Sequence, residues 1–353
     1  MTISRGLSMG FAVMPMLVLA VHWSQPATPK DPVAALQADV VAGRTKLTYD
    51  AKFGYLPSLL DALKVPVNSQ TLVFSRTSLQ TDFISRKNPR AIYFNRDVYI
   101  GYIPGAPLIE IMSVDPLQGT RFYTLPNLPE NRRAAAFSTD DSDCVRCHGG
   151  QSLPPRLFVR SVHAAPSGYA RPFAPNFNVM PRTPIRQRWG GWYVTGRHGT
   201  LRHMGNVASE GTDEQYRIDV EAGANLTELP KVVDRTKYPI AHSDILALLE
   251  LEKQMDVQNE LSWFAMEARD LLKDRPSEAV GRRRLRGILG ELVRALRGDE
   301  DVEVPTSVRG TSGFRPTPWV KVGNRSVHFL IESPTFRAMP ELAQRTVRDA
   351  LSQ

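Results

Sequence analysis

Residues 91–124 read AIYFNRDVYIGYIPGAPLIEIMSVDPLQGTRFYT. Four short runs of apolar, β-branched and aromatic residues stand out: Ala91–Phe94, Val98–Tyr102, Ile109–Ser113 and Arg121–Thr124. Asn95-Arg96-Asp97, Pro104-Gly105 and Asp115-Pro116 separate them. Asn, Asp, Gly and Pro favour turn conformations over continued pairing. A fifth run, Leu72–Ser75, lies on the other side of Asn88-Pro89. Strands recurring every ~8–12 residues with such breaks predict an antiparallel meander or a small barrel.

The flanks read differently. On the N-terminal side, Asp31-Pro32 supplies a helix cap with proline at the first helical position, and a second short helix is expected near 57–63. On the C-terminal side, Ser243-Asp244 caps a helical pattern running to about Lys273, and Pro276 ends it. A further helix is expected over 277–296, with leucines on one side and Arg282, Arg283, Arg284 and Arg286 on the rest. A strand over 319–331, broken at Gly323-Asn324, and a helix over 340–351 complete the chain. From 131 to 240 the sequence is irregular and rich in Gly, Pro, Arg and His. The fold class is therefore α+β, with a β-rich N-terminal part (31–130), an irregular centre (131–240) and a mainly helical C-terminal part (241–353). The 353 residues fit two or three domains at ~100–200 residues each.

Composition excludes several classes. Hydrophobic residues at 42% and charged residues at 23% can bury a core, so wholesale disorder is excluded. The net charge of +8 is diluted along the chain. With no basic run interleaved with stacking aromatics, nucleic acid is not an expected partner. No G-x-S-x-G motif localises a serine nucleophile. There are only two cysteines, which excludes a disulfide scaffold and any cluster needing four thiolates.

Both cysteines fall in Asp143-Cys144-Val145-Arg146-Cys147-His148-Gly149-Gly150. C-x-x-C-H is the c-type haem attachment pattern. Two thiols one helical turn apart can join the two vinyl groups of one haem, and the next residue can offer its imidazole to the iron. Histidine is 7 of 353 residues, so its place after the second cysteine has a chance frequency of about 2%. Two other readings of these residues exist. C-x-x-C can be a thiol redox pair, although no βαβ unit surrounds it. Two cysteines and a histidine can hold zinc with a fourth ligand such as His163.

The first residues support export. Arg5 precedes an apolar stretch from Leu7 to Val21, shorter than the ~20 residues of a spanning helix. Residues 1–23 are expected to be a signal peptide or an uncleaved N-terminal anchor. This places the protein in the periplasm, soluble or held to the cytoplasmic membrane through that segment alone.

Residues 1–21 and 144–148 together resemble an exported mono-haem c-type cytochrome. The chain is not similar to a minimal all-α cytochrome c, because strands precede its haem motif. The order of segments 71–124, 144–160 and 189–206 resembles that of uncharacterised bacterial periplasmic cytochrome c domain proteins. The resemblance implies one covalent haem c on Cys144 and Cys147, with His148 as proximal iron ligand. It implies one-electron transfer with a redox partner protein. The Arg282–Arg286 cluster reads as the wet face of a helix, or as a docking patch if that partner is acidic. The alternatives are a haem enzyme (a peroxidase or small-substrate oxidoreductase) and a haem-based sensor or scaffold subunit.

Three residues are candidates for the distal iron ligand. His198 is preferred, since it follows a strand-like piece in the aromatic and glycine-rich segment Trp189–Asn206; His203 of the same segment and Met180, in a Met-Pro pair, are the alternatives. Arg156, Arg160, Arg182, Arg186, Arg188, Arg197 and Arg202 are candidate partners for the haem propionates. Arg146 is expected to face away from the haem.

Overall fold

The structure, a computed structural model, describes residues 31–131, 135–139, 142–149 and 154–353. The expected export segment, 1–23, lies outside the described residues. The chain is a mixed α and β protein. Two short helices come first, α1 (Pro32–Val41) and α2 (Leu56–Ala62). The meander follows: β1 (Thr71–Val73), β2 (Arg90–Phe94), β3 (Val98–Tyr102), β4 (Leu108–Asp115) and β5 (Gly119–Pro126). The central region holds α3 (Ser142–His148), a hairpin of β6 (Val159–Val162) and β7 (Asn176–Val179), then β8 (Trp192–Tyr193), β9 (Glu210–Gly211) and β10 (Tyr216–Arg217). The C-terminal part contains α4 (Ile245–Leu271), α5 (Glu278–Arg286), α6 (Gly290–Arg297), the hairpin β11 (Val320–Val322) and β12 (Arg325–Val327), and α7 (Pro334–Arg337) and α8 (Glu341–Ser352). Where one helix was expected over 277–296, the structure has two. Gly287 and Gly290 flank the break, and glycine disfavours a continued helix by ~1 kcal/mol relative to alanine.

The main sheet has six antiparallel strands in the order β5-β4-β3-β2-β1-β8. It is an open meander whose edge strand, β8, is supplied by the central region. Alternation along each strand gives the sheet two different faces. One face carries Leu72, Tyr93, Ile100, Ile109 and Leu125, which pack with Leu36 of α1 and Leu56, Leu59 and Leu60 of α2. Asp31 fastens this layer: its Oδ1 accepts from the N–H groups of Val33 and Ala34, and its Oδ2 from the hydroxyl of Tyr123 at 2.7 Å. The other face carries Val73, Ile92, Phe94, Tyr99 and Val114 and meets the central region and α4.

The 27 residues of α4 span ~40 Å at 1.5 Å per residue. Its first half (Ile245, Leu248, Leu251, Met255) packs on the second sheet face. Its second half (Val257, Leu261, Phe264, Ala268) forms a separate core with α5, α6, α7 and α8. The long helix therefore belongs to both halves of the molecule. Asp244 sets its start, accepting from Leu246 N–H through Oδ1 and from Thr311 N–H, Ser312 N–H and the Ser312 hydroxyl through Oδ2. Among the described residues, no helix is long and apolar enough to cross a membrane.

Candidate haem-attachment cavity

Cys144 and Cys147 sit three residues apart on α3, one turn of helix, and His148 ends that helix. Gly149 closes it, donating its N–H to Val145 O at 2.7 Å. A Cβ at position 149 would lie 2.7 Å from both Val145 O and Val145 Cγ1, so the turn after His148 excludes a larger residue. Cys144, Cys147 and His148 all line one cavity of about 530 Å3, within the ~300–1,000 Å3 usual for ligand sites.

His148 is held in one tautomer. Its Nδ1 lies 2.8 Å from Arg156 O. A carbonyl oxygen only accepts, so Nδ1 carries the hydrogen and Nε2 keeps the lone pair. The ring stacks on Phe158 (centroids 4.5 Å apart, planes 18° apart) and touches Phe122 at 5.2 Å. Burial pushes its pKa below the ordinary 6.5, which favours the neutral imidazole. A neutral imidazole with one nitrogen engaged by a carbonyl is the usual state of a metal-ligating histidine.

The brace behind His148 comes from α4. Arg156 N–H donates to His148 O at 2.9 Å, so residue 156 holds both the backbone and the ring. Arg156 in turn pairs with Glu260 at 2.8 Å. Leu157 N–H donates to Asn259 Oδ1 at 2.8 Å, and Asn259 Nδ2 donates to Leu157 O at 2.7 Å. Two adjacent residues of α4 thus hold Arg156, whose carbonyl fixes the imidazole, and its neighbour Leu157.

The sheet supplies the cavity floor. In register, Tyr99 stands opposite Met112, and Met112 opposite Phe122; one step along, Ile92 stands opposite Gly101, and Gly101 opposite Glu110. All six line the cavity, with Trp192 of β8 and Met255 of α4. Gly101 leaves that part of the floor flat, because its position carries no side chain. Four arginines also line the cavity: Arg76, Arg90, Arg146 and Arg160. Arg90 pairs with Glu110 at 2.8 Å, and Arg146 with Asp143 at 2.8 Å. Arg146, expected to face away from the haem, is largely exposed and lines the cavity beside Asp143, its partner one turn earlier on α3.

The three distal-ligand candidates do not line this cavity. Met180 sits in a turn, its N–H donating to Thr183 Oγ1 at 3.0 Å. His198 and His203 are buried and paired with each other, Nε2 to Nε2, at 3.2 Å. His198 Nδ1 faces Leu201 O at 3.0 Å, and His198 Nε2 accepts from Asn225 N–H at 2.8 Å. His203 Nδ1 accepts from Gly205 N–H at 3.0 Å, so its Nε2 carries the hydrogen and donates to His198. Every nitrogen of the pair is already engaged, which leaves neither a lone pair for iron. Burial first, then the nearby charges of His198 and Arg202, push the His203 pKa down to about 3. The density of histidine, glycine and tryptophan that drew attention in the sequence belongs to this internal cluster, where Trp189 packs 5.1 Å from His203. His163, the example of a fourth ligand in the zinc alternative, also lies off the cavity wall, its Nδ1 2.7 Å from the Tyr216 hydroxyl.

Of the seven arginines expected at the propionates, only Arg160 lines the cavity. Arg156, Arg182, Arg188 and Arg202 pair with Glu260, Glu300, Glu252 and Glu221. Arg76, Met112, Met255, Phe122 and Phe158 line the cavity without having been singled out from the sequence. The alternation of β3, β4 and β5 carried a signal for Met112 and Phe122, since it puts them on one face with Tyr99. Nothing local in the sequence marks Arg76 or Met255.

The residues present fit a haem c. They combine two thiols one turn apart, a neutral imidazole with Nε2 available, an apolar floor and cationic side chains on one cavity wall. No protein-family model, no curated protein and no solved structure matches this chain.

Proposed function

We propose that the protein is an exported c-type cytochrome that carries one covalent haem and transfers single electrons. The observation that carries this reading is the shared cavity wall of Cys144, Cys147 and His148, with His148 Nδ1 engaged by Arg156 O. Haem c would supply a one-electron iron couple. Cys144 and Cys147 would hold the group through thioether bonds. His148 would bind the iron through Nε2, its ring orientation set by Arg156 O and by the flanking Phe122 and Phe158. Met112, Ile92 and Trp192 would exclude water from the inner part of the cavity. Cys147 is exposed and Cys144 half-buried, so the attached edge would lie near the surface, where a partner protein could exchange electrons. This reading places the chain in the periplasm.

A second reading, a haem enzyme acting on a small molecule, is favoured by one feature. Among the described residues, the only histidine on the cavity wall is His148, and its two methionines are Met112 and Met255. A haem whose iron neither methionine binds would admit a small molecule.

Expression in a periplasm with the haem maturation machinery tests the first step. Haem should stay with the chain through denaturing electrophoresis and should be lost in the Cys144→Ala, Cys147→Ala double variant. A folded chain without covalent haem overturns the proposal. The optical spectrum then separates the two readings. Low-spin haem in both redox states, unchanged by carbon monoxide or peroxide, supports the electron carrier. High-spin or gas-binding haem supports the enzyme.

A further inference from the structure

The four arginines on the cavity wall are not equivalent. Arg90 and Arg146 are neutralised by Glu110 and Asp143. Arg76 and Arg160 have no carboxylate partner among the described residues. Arg76 stacks over Tyr169 (4.7 Å to the ring centroid) and donates from Nη1 to the Tyr169 hydroxyl at 2.9 Å, while its Nε, like that of Arg90, is buried without a hydrogen-bond partner. A buried guanidinium N–H left unpaired is unfavourable, so this edge of Arg76 gains from an acceptor. Arg160 is exposed and donates from Nε to Asn176 Oδ1 at 2.5 Å. Asn176, Tyr169 and both arginines line the same cavity. One hydrogen bond to a neutral oxygen fixes each guanidinium without cancelling its charge.

The sheet side of the cavity is mostly apolar, with the Arg90–Glu110 pair set into it, and Arg76 and Arg160 add two positive charges without a carboxylate partner. We infer that Arg76 and Arg160 form a binding subsite for a pair of carboxylates, and that these are the two propionates of the haem held by Cys144, Cys147 and His148. The inference rests on the haem reading above and extends it to two residues outside the attachment motif. Guanidinium–carboxylate bonds are charge-assisted and can be bidentate. Rigid cations beside the propionates favour the reduced, less positive haem, so each arginine raises the reduction potential.

The test compares the haem-loaded parent protein with Arg76→Gln, Arg160→Gln, Arg76→Lys and Arg160→Lys. Arg345→Gln makes the same charge change on α8, away from the cavity. Redox titration followed by haem absorbance reads the outcome. Each glutamine variant should shift the one-electron equilibrium towards the oxidised form by about three- to tenfold, a tenfold shift being 59 mV. The lysine variants should recover most of that shift, which a purely structural role would not produce. The Arg345→Gln potential should match the parent. Covalently attached haem with the same potential in the parent and both glutamine variants overturns the carboxylate subsite and leaves the haem reading intact. Haem that never attaches to the parent overturns the haem reading itself. A second arm covers variants too unstable to titrate: the Cys144→Ala, Cys147→Ala protein is titrated with ferric protoporphyrin and with its dimethyl ester. At least tenfold weaker binding of the ester supports the subsite, and equal binding overturns it.

Discussion

Asn259 stands between the helical half of the molecule and the imidazole of His148, and Asn259→Ala isolates its contribution. The substitution removes two hydrogen bonds, from Leu157 N–H at 2.8 Å and to Leu157 O at 2.7 Å. Leu157 is only 1% exposed, so neither backbone group can turn to water. A buried donor or acceptor left unpaired costs ~1–3 kcal/mol. Two such groups, with partial relaxation of the loop, give a loss of about 2–5 kcal/mol. At ~2.1 cal/mol/K of unfolding entropy per residue over 353 residues, or about 1.4 °C per kcal/mol, Tm should fall by roughly 3–7 °C. Asn259→Asp keeps the acceptor for Leu157 N–H and loses the donor, so its loss should fall between those of the parent and the alanine variant. The damage should also reach His148, because Leu157 follows the residue whose carbonyl holds Nδ1. Thermal unfolding by circular dichroism reads the first effect. Solvent exchange of the His148 Nδ1–H by 15N NMR reads the second: slow in the parent and faster in Asn259→Ala. A Tm within 1 °C of the parent together with unchanged imidazole exchange would refute the claim that α4 braces the site.

Three further outcomes follow from the same geometry. Glu252→Gln leaves the buried Arg188 guanidinium without a counter-charge, and breaking such a pair costs ~3–5 kcal/mol; urea unfolding should show it, and a loss below 1 kcal/mol would contradict the burial of the pair. Burial holds the pKa values of His203 and His328 down to about 3 and lowers that of His198. The unfolded chain accepts protons near pH 6.5 that the folded chain refuses, so this stability is fully present above that pH and is lost as pH falls towards 3. Urea midpoints should drop between pH 7 and 4.5, and less steeply in His203→Asn; equal slopes would exclude the histidine pair as the cause. Met180→Leu should leave the spectrum of attached haem unchanged, because Met180 does not line the cavity; a change of spin state in that variant would show that it reaches the iron.

The strands were legible because their signals are local. Each run between Ala91 and Thr124 is bounded by residues that favour turns, and each appears as a strand within two residues of its expected end at most. The helical span 245–271 was equally plain, with Asp244 as its cap. The shared position of Cys144 and Cys147 was legible for a similar reason: helical spacing alone brings them to one cavity wall. What failed was inference across the chain. His198 and His203 lie among aromatics and glycines as a haem-facing loop would, but Leu201 O, Asn225 N–H and Gly205 N–H are positioned to satisfy both rings internally. No local pattern distinguishes a histidine that saves its lone pair for a metal from one that spends it on a backbone N–H. The arginines show the same limit. Seven from the central region were plausible, yet four of them face carboxylates from distant segments, and Arg76 comes from the end of a strand nearly seventy residues before the first cysteine.

The length of the chain is explained by how this site is held. A seven-residue helix has too few internal hydrogen bonds to be stable alone, and its cysteines and histidine need fixed positions relative to one another and to the cavity. That rigidity is supplied from outside α3. Phe122 of the sheet and Phe158 of the following segment confine the ring, Arg156 O fixes its tautomer, and Asn259 and Glu260 hold residues 156 and 157. Gln254, five residues before Asn259 on α4, donates to the Tyr99 hydroxyl at 2.8 Å, which joins the same helix to the cavity floor. α4 keeps its course because Leu261, Phe264 and Ala268 are buried against the helical unit. The C-terminal helices, remote from the cysteines in sequence, thereby contribute to the geometry of His148 through three successive contacts. A minimal domain could hold two cysteines and a histidine in the same arrangement with fewer residues, but it would have to obtain that support from elements adjacent to the motif, and here those elements are short strands and turns.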